Sequence, residues 1–247
     1  MKRDTITFDN GNRAVVVTAE RDTDAQAILK SLEIAQPQAL IMVFGGAKGL
    51  DDSRKARLTE LFKDAVAPAA AELGALVIDG GTQSGVMAMM GEAFARDGRG
   101  SQLLGIAPAG RVTYPGSPSD ARIGDGAPLE PNHSHFVLVE SDEWGGETGT
   151  MFELARALNV SVATMLINGG QIAESEGLRS VRNGWPLLVV EGSGRLADEL
   201  SAAVRNAALN TSATIKEIAR SGRVKLFSID KPVLGLKSQL QQILCAG

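Results

Sequence analysis

Two stretches decide the fold: Ala39-Leu40-Ile41-Met42-Val43-Phe44-Gly45-Gly46-Ala47-Lys48 and Ala75-Leu76-Val77-Ile78-Asp79-Gly80-Gly81-Thr82-Gln83-Ser84-Gly85. Each is an unbroken apolar run that breaks into glycine and then gives way to a helical pattern. A strand with one wet face alternates apolar and polar residues. A continuous run is covered on both faces, as in a parallel sheet flanked by helices. Working outward, similar runs recur at Ala14–Ala19, Leu103–Ala107, Phe136–Val139, Val162–Ile167, Leu187–Val190 and Val224–Ile229. Helical patterns fill the intervals. In Arg54–Leu73, Leu58, Leu61, Phe62, Ala65, Val66, Ala69, Ala70 and Leu73 share one face, with Pro68 predicted to bend the helix. Others span Ser84–Arg96, stopped by Gly98, then Thr148–Leu158, Gly170–Arg182, Arg195–Ala208 and Lys231–Leu244. Alternation of this kind predicts an α/β fold, a doubly wound, mainly parallel sheet with helices on both faces. No repeat, low-complexity linker or composition break divides the chain, so one domain is expected over residues 1–247.

Composition narrows the function. The 247 residues are 44% hydrophobic and 22% charged, which excludes a disordered, collagenous or coiled-coil chain. Aromatics are only 4%, so the core must be built from aliphatic side chains. Twenty-five Lys and Arg against 29 Asp and Glu give a net charge of −4, with no basic field for nucleic acid or an anionic membrane. Cys245 is the single cysteine, which excludes disulfide frameworks and cysteine-based zinc sites. No apolar run approaches the ~18 residues of a membrane span. The charged start MKRDTITFDNGNR has no apolar segment behind it, so no signal peptide and a cytoplasmic location are expected.

Four strand ends run into glycine-rich turns that open helices: Gly45-Gly46-Ala47-Lys48-Gly49; Gly80-Gly81-Thr82-Gln83-Ser84-Gly85, followed by Val86; Gly145-Gly146-Glu147-Thr148-Gly149-Thr150; and Gly192-Ser193-Gly194-Arg195. Glycine lets backbone N–H groups approach a ligand, and a helix N-terminus favours an anion. In an open parallel sheet such turns gather along one edge, so together they point to a phosphate-bearing ligand. The P-loop pattern is absent, and Gly192–Ala197 matches G-x-G-x-x-A without an acid at the expected spacing. Lys48, Arg111 and Arg195 are the candidates to neutralise phosphate. His133 and His135 suit either a metal or, the plainer reading, a hydrogen-bonded strand entry, and no metal is assigned. Glu147 and Glu153 stand at or near a helix start, where an acid also simply complements the dipole. The stretch Ala107–Asn132 interrupts the alternation and holds Pro108, Pro115, Pro118, Pro128, Pro131 and the only tyrosine, Tyr114. Its length suggests a lid that brings Tyr114, Arg111 and Arg122 over the ligand, or else a stiffened surface loop.

The series Met42–Lys48, Ile78–Met87 and Gly105–Pro108 resembles the SLOG superfamily, a Rossmann-like group that joins the LOG enzymes with the DprA-type proteins. Leu129–Glu140 (LEPNHSHFVLVE) and Leu187–Leu200 (LLVVEGSGRLADEL) resemble the N-terminal region of the melastatin-type transient receptor potential channels, which points to the free-standing prokaryotic version of that LSDAT-type domain. The resemblance covers about residues 39–200, with extensions at both ends. It implies a nucleotide-derived ligand of the ADP-ribose or NAD kind, and no obligatory cofactor. Donors at Gly46, Gly81, Thr82, Ser84 and Gly85 would hold phosphate, Thr148, Gly149 and Thr150 would close the other side, and Glu147 or Asp142 would accept ribose hydroxyls. LOG enzymes cleave nucleoside monophosphates with a P-G-G-x-G-T-x-x-E motif; here Gly145 stands for the proline, Glu147 for the second glycine, and Glu153 for the acid. A phosphoribohydrolase using Glu153 is thus the alternative, although the arginine-bearing M-H-x-R-K helix of those enzymes has no counterpart. A third reading is a homo-oligomeric interaction module, with Val233, Leu236, Leu240, Ile243 and Leu244 as a pairing stripe or as a cover for the sheet.

Overall fold

The computed structural model describes residues 1–97, 101–117 and 126–245. Nine strands form one sheet. Numbered in chain order and taken across the sheet, they are β1 (Lys2–Thr7), β2 (Arg13–Ala19), β8 (His135–Val139), β5 (Leu103–Pro108), β4 (Ala75–Asp79), β3 (Ala39–Gly45), β9 (Ser161–Ile167), β10 (Leu187–Glu191) and β11 (Val224–Ser228). Every pairing is parallel except β1 with β2. The continuous apolar runs are explained directly: every residue of β4, β5 and β8 is buried, as is all of β3 except Gly45. Helices α1 (Ala25–Leu32), α5 (Thr148–Leu158), α6 (Gln171–Arg182), α7 (Arg195–Arg205) and α8 (Ala213–Arg220) cover one face. On the other lie α2 (Asp52–Leu61), a π-turn over Phe62–Val66, α3 (Ala67–Glu72), α4 (Gly85–Asp97) and α9 (Val233–Cys245). The core is aliphatic apart from a few rings, such as the Phe44–Phe152–Trp185 stack at 5.9 and 5.5 Å.

This is the expected Rossmann-like α/β architecture, with differences that have local causes. The helix Arg54–Leu73 is three segments: Pro68 has no N–H to give, and the π-turn over Phe62–Val66 lies just ahead of it. Strand β1 and helices α1 and α8 are additional to the sequence reading. β1 is exposed at all but one position and so carries no apolar signal. On α9, Leu236, Leu240, Ile243 and Leu244 are buried and cover the sheet. Among the described residues no helix is long and apolar enough to cross a membrane.

The stretch Ala107–Asn132 is more structured than a plain loop. It holds a 3-10 turn at Ala109–Arg111 and a small parallel pair, β6 (Val112–Thr113) with β7 (Ala127–Pro128). It takes the place of a helix over β2, β5 and β8, where Val112 and Leu129 are buried with Phe8, Val16 and Phe136. Gly98, Pro118 and Arg122 lie outside the described residues.

Candidate functional site

The order of the strands places the site. From β3 the chain steps outward through β4 and β5 on one side, then returns to lay β9, β10 and β11 on the other. The connections therefore diverge at the C-terminal ends of β3 and β9, where a crevice opens between loops. Gly45 is in register with Ile167 at this point. Beyond it stand three turns: Gly46–Gly49 after β3, Asn168-Gly169-Gly170 after β9, and Gly192–Gly194 after β10.

Asn168 ties the three turns together. It is fully buried with φ 58°. Its Nδ2 donates to the carbonyls of Gly46 (3.3 Å) and Lys48 (2.9 Å), its N–H donates to Ser193 Oγ (2.8 Å), and its carbonyl accepts from Ala197 (2.9 Å). Ser193 Oγ passes the link on to the Val190 carbonyl (2.6 Å). The remaining oxygen of Asn168, Oδ1, is buried and has no partner among the described residues. Arg195 begins α7 with a left-handed backbone, φ 45°, unusual for a side-chain-bearing residue. That turn carries its side chain across the crevice. A Cβ built on Gly170 would lie 2.9 Å from Arg195 Nη2, one on Gly46 3.8 Å from Nη1, and one on Gly49 3.6 Å from Cδ. The guanidinium is exposed and makes no hydrogen bond to a described residue. Lys48 and Ala47 stand exposed on the same turn.

The turn after β4 is built differently. Gly81 gives its N–H to Asp79 Oδ1 (2.7 Å), Gln83 to the Pro128 carbonyl (2.7 Å), and Ser84 to the Thr82 carbonyl (2.7 Å). Thr82 is buried and bridges Leu129. The Gly81 and Ser84 donors expected at phosphate are thus engaged within the protein. Glycine is needed here for contact between chains: a Cβ on Gly85 (φ 52°) would fall 2.4 Å from Ala47 Cα, and one on Gly81 (φ 64°) 2.7 Å from Gly105 Cα. Gly45 likewise makes room for Val86, at 2.9 Å, while Gly80 meets only the Met87 side chain, at 3.8 Å.

His133 belongs to this closed region. Its ring is fully buried, with Nε2 2.8 Å from Asp79 Oδ1 and Nδ1 2.8 Å from Glu130 Oε2. Burial alone would keep the imidazole neutral, but the two carboxylates prevail and push its pKa up to about 9. Glu130 also accepts from the Asn132 backbone and side chain (2.9 and 2.6 Å). Its carboxylate lies against α4: a Cβ on Gly91 would stand 2.0 Å from Oε2. The imidazolium fastens the end of the Ala107–Asn132 stretch to β4. His135, buried at the strand start, is held below its ordinary pKa by burial and by Arg3. Among the described residues no group of three or more His, Cys, Asp or Glu stands together as a metal site.

A second depression of about 520 Å³ lies between the N-termini of α5 and α6. Arg21, Glu143, Trp144, Gly145, Gly146, Thr148 and Gly149 line one side, and Gln171, Ile172, Ser175 and Arg179 the other. Arg21 donates to Ser141 Oγ (2.6 Å), and Arg179 lies over the Phe152 ring at 5.6 Å. Gly170 abuts Arg195 while Gln171 lines the depression, so the crevice and the depression meet at the start of α6. Behind the lining, Glu147, Thr150 and Glu176 are buried.

The remaining candidates lie elsewhere. Tyr114 packs beside the cluster of Phe8, Val112 and Leu129, and lines a cavity of about 570 Å³ with Phe8, Asp9, Asn10 and Gln83, on the β1–β2 flank. The structure does not bring it to Arg195. Arg111 donates to the Asp142 carbonyl (2.6 Å) beyond β8. Glu153 is exposed and ion-paired with Arg156. Gly192 (φ 89°) gives its N–H to Asp198 (2.6 Å), and a Cβ there would meet Ile229 at 2.6 Å; Gly194 (φ 107°) lies over Asn168 Oδ1. The sequence reading missed Asn168, Gly169 and Gly170, a fifth glycine turn after an apolar run, and also Arg21, Trp144 and Arg179, which carry no motif.

Comparison with known proteins bears on the family of the chain. Residues 38–234 match the family model described as "SLOG in TRPM, prokaryote". The chain is 30% identical over 231 residues to "Transient receptor potential cation channel subfamily M member-like 2" of Nematostella vectensis, covering 77% of this chain and 15% of that protein. It is 27% identical over 224 residues to subfamily M member 2 of Mus musculus, covering 75% and 15%. It is likewise 27% identical over 234 residues to subfamily M member 7 of Homo sapiens, covering 79% and 12%. The chain therefore spans at most 15% of the length of these relatives.

Proposed function

The chain belongs to the family described as SLOG in TRPM, prokaryote, and from that premise we propose that it binds a nucleotide-derived diphosphate of the ADP-ribose kind at the β3–β9 crevice. The observation that carries this reading is Arg195: a cation without an acceptor among the described residues, held by a left-handed backbone over glycine turns. A guanidinium and a neighbouring helix N-terminus both favour an anion. The depression beyond Gly170 adds Arg21 and Arg179 for a second phosphate, and half-exposed Trp144 as a flat surface for a base. A ligand with two separated recognition elements suits the two joined spaces better than a lone phosphate does.

Binding, rather than turnover, is the reading favoured here, because Glu153, the acid that a LOG-type hydrolase would use, is taken up by Arg156 at the surface. A cytoplasmic location and a small-molecule partner go with it, without nucleic acid or membrane; a homo-oligomer is tested by mass measurement in solution. Calorimetry and thermal shift with ADP-ribose, cyclic ADP-ribose, NAD and AMP decide the matter. A ligand present at 100 times its dissociation constant raises stability by about 2.7 kcal/mol. Silence across all four compounds ends the nucleotide reading.

A further inference from the structure

Glu147 and Glu176 take no part in lining the depression, yet they lie just behind it. Glu147 stands at the start of α5 and is 6% exposed; Glu176, in the second turn of α6, is 7% exposed. A buried carboxylate ordinarily has a cation or several donors. Here the charged surroundings are sparse. Arg21, from the loop after β2, acts on Glu147 but hydrogen-bonds to Ser141. Arg179, one turn along α6, lies over Phe152, and Glu143 stands at the rim. On α8, packed against α6, Glu217 is held by Arg182. Thr148 Oγ1 is 3.4 Å from Glu176 Oε1, while Glu147 Oε2 and Thr150 Oγ1 are buried without a partner among the described residues.

We propose that Glu147 and Glu176 hold one proton between them, and that this proton couples the binding of an anionic ligand in the adjoining depression to pH. The coupling rests on the ligand reading above; the shared proton does not. Two neighbouring carboxylates with no cation between them do not both ionise readily, and they titrate as a pair. Thr148 links the two in space: it follows Glu147 in the chain, and its Oγ1 is 3.4 Å from Glu176 Oε1. The roles follow from the surroundings. Burial, and then repulsion by Glu147, push Glu176 up to about 8. Burial raises Glu147 too, but its own N–H, that of Gly145 and the charge of Arg21 pull it back. Glu147 is therefore the ionised member and Glu176 the protonated one. The pair carries one negative charge at neutral pH and a second as pH rises past about 8. That second charge opposes phosphate at the start of α5.

ADP-ribose is a suitable probe, because both of its phosphates are esterified and do not titrate in this range. In the intact chain its dissociation constant, measured calorimetrically, is expected to be flat below about pH 8 and to rise by up to about tenfold per pH unit above it. Glu176→Gln keeps a donor that does not titrate, so it should bind as the parent does at pH 7 and lose the slope. An unchanged slope in that variant overturns the coupling. Carboxyl ¹³C resonances of the unliganded protein should show one glutamate with a midpoint near 8, falling toward the ordinary range in Glu147→Gln. If no raised midpoint is found, the shared proton is overturned. Thermal stabilisation by MgCl2 or CaCl2 alone, lost in Glu176→Gln, overturns it in favour of a cation. Failure of ADP-ribose to bind at any pH removes the ligand site and its coupling, while the carboxyl titration still decides the pair.

Discussion

At the end of β4, a side chain added to Gly85 or Gly81 would strike backbone, Ala47 Cα at 2.4 Å and Gly105 Cα at 2.7 Å. At the β3–β9 crevice, a side chain added to Gly46 would meet only Arg195 Nη1 and the Gly169 Cα, at 3.8 and 3.9 Å, and one added to Gly49 only the Arg195 stem. The same residue serves opposite ends. In the first place glycine lets two chain segments touch, and the amides of Gly81, Gln83 and Ser84 go to protein acceptors. In the second it leaves open a space that a flexible cation reaches into. A glycine turn at a strand end is thus no evidence of a ligand until the atoms that would crowd its missing side chain are known.

The sharpest way to break this contrast is to fill both places. Gly85→Ala should lose about 3–5 kcal/mol in urea unfolding, from backbone overlap added to a left-handed φ. Gly49→Ala, with room but φ 80°, should lose only about 1 kcal/mol. Equal losses would dissolve the distinction. The closed region should also answer to alkali. His133 has a folded pKa raised from 6.5 to about 9, so its contribution is complete below about pH 6.5 and is lost as pH rises through about 9. Stability followed from pH 6 to 10 should fall by on the order of 3 kcal/mol through this group. A flat profile would mean that the imidazole is neutral in place. In the open region the larger effect is on ligand: Arg195→Ala should weaken ADP-ribose by about 10- to 100-fold, the worth of a charge-assisted contact, with little change in urea midpoint. If it unfolds the protein instead, Arg195 is a structural residue. The smallest effect is expected at Tyr114→Ala, which lies on the far flank: about 1–2 kcal/mol of stability and no more than a twofold change in ADP-ribose affinity. A large loss of binding there would restore Tyr114 to the ligand and bring the Ala107–Asn132 stretch back as a lid.

How much of this could be read beforehand depended on whether burial left a mark on residue type. The eight parallel strands did, because a run such as Leu40–Phe44 is apolar at every step. β1 did not, since Lys2-Arg3-Asp4-Thr5 hangs on the outside of β2 in solvent. The candidate turns were visible as glycine, but their division into closed and open depended on distances between segments far apart in sequence. Asn168 carried a readable sign, an apolar strand ending in Asn-Gly-Gly ahead of a helix. Glu176 carried another. It falls on the stripe Ala173, Glu176, Gly177, Ser180, Val181, where α6 should be apolar. An acid on a buried stripe is expensive unless something compensates it. Arg21 and Trp144 gave no such sign, because their position follows only from how the loops after β2 and β8 meet.

The 2.0 Å gap at Gly91 has a consequence for descent. A mid-helix glycine gives up about 1 kcal/mol relative to alanine, so a lineage free to drift would tend to replace it. Here it is not free. Alanine at position 91 is admissible only after Glu130 has shortened or turned away, and Glu130 is held by His133 and Asn132. The order of substitutions is therefore one-way: the acid must go first, and the buried imidazolium then needs a new partner before the glycine is released. Distant members of the family should accordingly keep or lose these positions as a set, and a helix glycine that vanishes alone would mark a chain in which the clasp on β4 has been rebuilt.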